Sequence, residues 1–206
     1  MPLTIIPVTT KKEMKQFICF NYALYKDSPY AVPELYTDVR DTLDPNKNAA
    51  FEFCEAQPFI ALRDGMVVGR IVAIINHKAN SVWNKKAVRF GWVDFIDDVE
   101  VVDALFATVE QWGRERGMTE AHGPLGFTDF DPEGMLVEGF DRIGTMATIY
   151  NYPYYPVHLE RMGYVKDVDW MEYLLTAPEA LPEKHARITR IVKEKYGLRV
   201  VKYTSH

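Results

Sequence analysis

Three clusters of side chains in this sequence have the types and spacing to do chemistry. The first is the turn Ile96-Asp97-Asp98-Val99-Glu100, which lies between an apolar run starting at Val88 and a helical pattern that stops at Gly117. Strand, tight loop and helix is the geometry that holds a phosphate at a helix N-terminus. That grip uses glycines for close backbone approach, and this turn offers three carboxylates and no glycine. Asp97 and Glu100 also fit as N-cap and N3 partner of the helix. A metal ion or a cationic substrate is the other use for such carboxylates, although the alternating oxygen ligands of a calcium loop are missing.

The second cluster is Thr128-Asp129-Phe130-Asp131-Pro132-Glu133, a D-x-D-x-E run in a loop after a strand. α/β sites form where strands end, so the run suits an amine or a divalent ion, or is simply a solvated acidic loop. It has neither the ligand number nor the central glycine of an EF-hand. The third is Tyr150-Asn151-Tyr152-Pro153-Tyr154-Tyr155-Pro156, aromatic and stiffened by two prolines. It reads either as packing of a helix start against a sheet or as a ligand lining, since tyrosine offers a flat apolar body and one hydroxyl. His77, His122, His158, His185 and His206 do not fall at ligand spacings, so no metal site is expected. His122, beside Gly123-Pro124 at a strand end, is the histidine placed to matter.

Composition bounds these options. The chain has 206 residues, 48% of them apolar and 26% charged, which allows one cored domain, or one domain plus an appendage. A net charge of -5 gives no basic footprint and argues against nucleic acid. No apolar run approaches the ~20 residues of a membrane span, so no membrane partner is expected. The start, MPLTIIPVTTKKEMK, lacks a signal-peptide core. Cys19 and Cys54 form no disulfide framework and read as small buried residues in a reducing cytoplasm.

The elements that must position the clusters follow from periodicity. Ile5–Val8 reads as a strand, and Thr10 with Glu13 as a capping box for a helix with Met14, Phe17, Ile18, Tyr22 and Tyr25 on one face. A short helix is predicted over Pro33–Leu43. Pro58–Arg63 and Met66–Ile75 read as strands of a hairpin turning at Asp64-Gly65, the second interrupted by Arg70. Residues 76–87 read as a polar excursion and Val88–Ile96 as the next strand. Val102, Leu105, Phe106, Val109 and Trp112 mark a helix over Val99–Arg116, with Gly117 as its C′ residue. Strands are predicted at Thr119–Gly123, Ile143–Tyr150 and Val165–Leu175, with a Pro-interrupted helix over Asn151–Met162. After Thr176-Ala177-Pro178 come a basic helix, Glu183–Tyr196, and a strand-like LRVVKY.

This order, with the segments GWVDFIDD (Gly91–Asp98), WGRERGM (Trp112–Met118), GMLVEGFD (Gly134–Asp141) and YNYPYYP (Tyr150–Pro156), resembles the GNAT superfamily of N-acyltransferases, and within it a bacterial GNAT-like group. The resemblance covers nearly all of residues 1–175. It implies an α/β (α+β) fold with a mixed, mostly antiparallel central sheet flanked by helices. It also implies a GNAT-like domain over 1–175, with 176–206 as a connector or the start of a second, downstream domain. The activity implied is acyl transfer from acetyl-CoA or another acyl-CoA to a small-molecule amine. The cofactor would lie along Phe95, Ile96, Asp97, Asp98 and Val99, with Asp94 or Asp129 as base and Tyr154 or Tyr155 as acid. The sequence departs from the family pattern at two places. The family's three loop glycines fall at Asp98, Glu100 and Val102, and its helix tyrosine falls at Leu159. A carboxylate ~4 Å from a phosphate charge, at an effective dielectric of ~20, costs about 4 kcal/mol. The alternative expectation is therefore a catalytically inactive GNAT-fold domain serving a longer protein, and a third is a small-ligand module built on the tyrosines.

Overall fold

Asp64 and Gly65 both take positive φ, 56° and 77°, the two-residue turn whose twist matches right-handed strands. Around this turn β2 (Cys54–Arg63) and β3 (Met66–Asn76) pair antiparallel, as the Asp-Gly signal predicted. The computed structural model describes residues 2–146 and 148–202. Its sheet adds β1 (Thr4–Pro7) on the β2 side and then β4 (Ala87–Phe95) and β5 (Glu120–His122) on the β3 side, in the order β1-β2-β3-β4-β5. All pairings are antiparallel except β4 with β5.

Helices cover both faces, which is why β3 is apolar almost throughout. Ile71, Ala73 and Ile75 pack in one core with Val101, Val102, Leu105, Phe106 and Val109 of α4 (Val99–Arg114). Val72 and Ile74 pack in the other with Phe17 and Ile18 of α1 (Lys11–Leu24) and Val39 of α2 (Tyr36–Thr42). The capping box of α1 is present: Thr10 Oγ1 accepts from Glu13 N, and Glu13 Oε2 accepts from Thr10 N at 2.8 Å.

The register of β4 breaks in its middle. Arg70 faces Asp94 while Val72 faces Gly91, so the stretch between holds one extra residue on β4. Trp92 sits in this bulge with φ of 42°, a costly value for a bulky side chain. An extra residue reverses the side-chain alternation beyond it. Val88 and Phe90 before the bulge join the α4 core, and so do Val93 and Phe95 after it. Asp94 is thereby turned to the α1 face.

Several expectations are corrected. Residues 77–83 of the polar excursion form α3 (His77–Trp83), with the Asn76 side chain accepting from Ala79 N. It buries no residue, so no apolar stripe announced it. Neither Ile143–Tyr150 nor Val165–Leu175 is a strand; the first contributes only an isolated bridge, Glu133 with Thr148, and includes residue 147, outside the described set. Alternation alone makes no strand without a neighbour to supply the ladder. The predicted Asn151–Met162 helix narrows to α5 (Tyr154–Arg161), and α6 (Glu183–Tyr196) stands where predicted. LRVVKY shows no strand through residue 202, and Tyr203 and His206 lie outside the described residues. The chain forms two compact units, Met1–Trp170 and Met171–His206. Among the described residues no helix is long and apolar enough to cross a membrane.

Candidate functional site

The bulge gathers charged groups that the sequence had scattered. Arg70, alone in apolar β3, donates from Nε to Asp94 Oδ2 at 2.7 Å, and both residues are buried. Asn21 Nδ2 of α1 also reaches Asp94 Oδ2, at 3.0 Å. Asp94 Oδ1 accepts from Tyr25 Oη at 2.8 Å and from Tyr155 Oη at 3.2 Å, and the two hydroxyls lie 2.7 Å apart. Glu34, between α1 and α2, approaches Arg70 at 3.7 Å and accepts from Trp92 Nε1 at 3.2 Å. Burial alone would lower the Arg70 pKa, but Asp94 and Glu34 more than offset it and keep the guanidinium charged. Burial raises the Glu34 carboxyl, Arg70 opposing and Asp94 adding to the effect. One cation thus faces two carboxylates, and Glu34 carries the surplus charge.

The outer edge of β4 is covered from α5. β5 runs alongside only Ala87–Arg89. Beyond it the following loop crosses β4, with Leu125 N donating to Phe90 O at 2.8 Å. The crossing is so close that a Cβ on Gly91 would stand 2.4 Å from Leu125 O. Further along, Tyr155 stacks on Phe95 at 4.1 Å between ring centroids, and its hydroxyl accepts from Phe95 N at 3.2 Å. Tyr154 Oη donates to Phe95 O at 2.7 Å. Both backbone groups of Phe95 are therefore held by side chains of the tyrosine motif. Burial, then Asp94, pushes the Tyr155 hydroxyl well above the ordinary tyrosine value; burial, then Tyr152, raises Tyr154.

The acidic turn is likewise satisfied from within. Asp98, and not Asp97, caps α4: its Oδ1 accepts from Glu100 N at 3.0 Å and Val101 N at 3.2 Å. Arg63 bonds Asp98 Oδ2 at 2.5 Å and Glu100 Oε2 at 2.6 Å. The hydrogen bond from Arg63 holds the Asp98 carboxyl below its usual range. Asp97 instead bonds His158 Nε2 at 2.7 Å, while the buried Nδ1 of the same ring has no hydrogen-bond partner. Ile96 N closes on Val68 O at 3.1 Å, and Val99 opens the helix with its side chain exposed.

The other candidates lie apart. Asp131 folds back to accept from Thr128 N at 2.9 Å, and Asp129 is exposed beside Glu133. His122 pairs with Asp167 at 3.1 Å. No cluster of metal-binding side chains occurs among the described residues. A shallow depression of about 280 Å³, lined by Phe51, Cys54, Glu55, Ala56, Gln57, Trp112 and Arg116, sits by the start of β2, at the far end of the sheet from Arg63 and the α4 N-terminus. The structure thus brings together Asp94, Phe95, Tyr154 and Tyr155, and joins to them Arg70, Glu34, Tyr25, Asn21 and His158, none of which the sequence assigned to this site. The available signal was Arg70, the one charge in β3, and Asp94 among the apolar residues that end β4.

The residues at the end of β4 do not fit the cofactor grip that the resemblance implies. The amides of Glu100 and Val101 at the helix start hold a carboxylate of the chain itself, and the backbone of Phe95 holds two tyrosines.

The chain is 33% identical over 166 residues to Protein YghO of Escherichia coli, which is 79% of this chain and 42% of that protein. It is 33% identical over 182 residues to the Bacterial ceramide synthase of Caulobacter vibrioides, 88% of this chain and 47% of that one. The chain spans less than half the length of these curated relatives. Among solved structures, a tandem GNAT protein from the clavulanic acid biosynthesis pathway superposes with a TM-score of 0.52 at 15% identity, over 79% of this chain and 43% of that one. No protein-family model matches. The mixed, mostly antiparallel sheet flanked by helices is the GNAT fold.

Proposed function

We propose that this chain is the non-catalytic GNAT-fold half of a longer N-acyltransferase, a protein that joins the acyl group of an acyl-CoA thioester to an amine. The observation that carries the reading is the double closure at the end of β4. Tyr154 and Tyr155 hold the backbone of Phe95, and Asp98 holds the first amides of α4. A pantetheine arm would need the first set and a pyrophosphate the second. Asp94 is not placed to take a substrate's proton, because Arg70, Asn21, Tyr25 and Tyr155 already occupy its two oxygens. Tyr154 and Tyr155, with raised pKa values, are weak proton donors.

Acyl transfer by the longer protein is supported by the shared fold, and by the Caulobacter relative, whose name says that it makes a ceramide. A ceramide is an amide of a long-chain amino alcohol, so the acceptor class is a long-chain amine. The test is a chimera in which this chain replaces the matching half of that relative. Amide formation by the chimera, with none by the 206-residue chain alone, is expected. Turnover of acyl-CoA by the chain alone overturns the reading.

A further inference from the structure

The unit Met171–His206 differs in charge from the rest of the chain. It holds seven Lys and Arg against four Asp and Glu, a net +3 in a chain of net -5, which leaves -8 on residues 1–170. Within it α6 concentrates Lys184, Arg187, Arg190, Lys193 and Lys195 against Glu183 and Glu194. At ~100° per residue, Ile188, Ile191, Val192 and Tyr196 share one side of the helix, while Arg187, Arg190 and Lys193 lie opposite. Lys184 and Lys195 stand at the two ends of the apolar side, where long stems allow their charges to reach outward. The apolar side is open to solvent: Ile188 is 44%, Ile191 50% and Tyr196 63% exposed. Cations and exposed aliphatic side chains continue to alternate after the helix, in Leu198-Arg199-Val200-Val201-Lys202. Ahead of it Tyr173, Leu174 and Leu175 are exposed as well.

We propose that α6 with its flanks docks on an anionic phospholipid bilayer, lying in the interface with its apolar side toward the acyl chains. A narrow apolar stripe with cations on its flanks and back matches the headgroup boundary, where phosphates meet the cations and acyl carbons meet the stripe. Nucleic acid would leave the stripe without a partner, and a second copy would set one basic helix against another. The absence of a spanning helix argued against a membrane partner; an interfacial helix needs no span. The inference deepens the N-acyl transfer reading, and rests on it only for the lipid amine that a bilayer would present.

The test is co-sedimentation of the full chain with phosphatidylcholine vesicles, with and without about 30% phosphatidylglycerol, at low and high salt. Binding at least about tenfold greater to the anionic vesicles, weakened by salt, is expected. Replacing Arg187, Arg190 and Lys193 together by Gln, all exposed, should lower it by about tenfold or more with unchanged circular dichroism. Replacing Ile188 and Ile191 by Ser should lower it too. Equal binding to both vesicles, binding to neither, or variants that bind as the parent does overturns the proposal. So does a dimer in sedimentation velocity that the Ser variant converts to monomer. Amide formation by the chimera is read separately, so failure of docking and failure of the acyl-transfer reading are distinguishable.

Discussion

The side chains around Asp94 differ in what they contribute, and charge counting separates them. Removing the carboxylate leaves Arg70 buried against Glu34 alone, so Asp94→Asn should destabilise the fold by about 3–5 kcal/mol in urea unfolding. Glu34 is the opposite case. Its carboxyl is raised above the ordinary value of 4.5, chiefly by burial, so the folded chain binds that proton more tightly than the unfolded chain does. Its contribution is fully favourable below about pH 4.5 and declines as pH rises through the folded value. Glu34→Gln should therefore equal or exceed the parent in stability at pH 7, with the gap closing below pH 4.5; a loss at pH 7 that persists in acid would refute this assignment. Tyr155→Phe removes the acceptor of Phe95 N and one donor to Asp94. It should cost about 1–3 kcal/mol, read as a lower urea midpoint at unchanged slope. None of these partners was visible as a partner in the sequence. Arg70 was visible only as an interruption of its strand and Asp94 only as a candidate base, because their meeting depends on a register that residue types do not encode.

At the scale of elements, α4 and the Asp64-Gly65 hairpin were legible because local chemistry specifies them: an apolar stripe, an acidic cap, and two residues that tolerate positive φ. The cap moved by one residue, from Asp97 to Asp98, because Arg63 holds Asp98 and His158 holds Asp97. Asp98→Ala should cost about 1 kcal/mol or more, since it strips two amides of their acceptor as well as Arg63 of its partner. Arg63 holds the Asp98 carboxyl below its ordinary 3.8, so this stabilisation is present above that value and lost as the pH falls through the folded pKa. An acid titration of the parent and the Ala variant should thus converge at low pH. The bulge was not legible. It turns on Trp92 at positive φ, a conformation no residue preference would assign to tryptophan, and it decides which face of the sheet receives Asp94. The Val165–Leu175 alternation misled for a related reason, since a strand depends on a neighbour as much as on its own pattern.

At the scale of the molecule, the proposal separates the fold from its cofactor cleft. The sheet, the bulged β4 and the helix behind it are those of the GNAT fold, while the tyrosines of α5 bond the backbone of Phe95 and the cap of α4 bonds the first amides of its helix. The acidic cap of α4 was legible, because missing glycines and added carboxylates can be read directly in the sequence. That tyrosine hydroxyls would take the Phe95 backbone could not be read, since the same motif served equally as packing or as a ligand lining. The most direct test is isothermal titration of the purified 206-residue chain with acetyl-CoA and with a long-chain acyl-CoA below its micelle concentration. The account predicts no saturable heat with either ligand up to the highest concentration reached, about 1 mM for acetyl-CoA, an affinity weaker than about -4 kcal/mol. A one-to-one isotherm in the micromolar range, lost on Asp98→Lys or shifted by Tyr154→Phe, would contradict it.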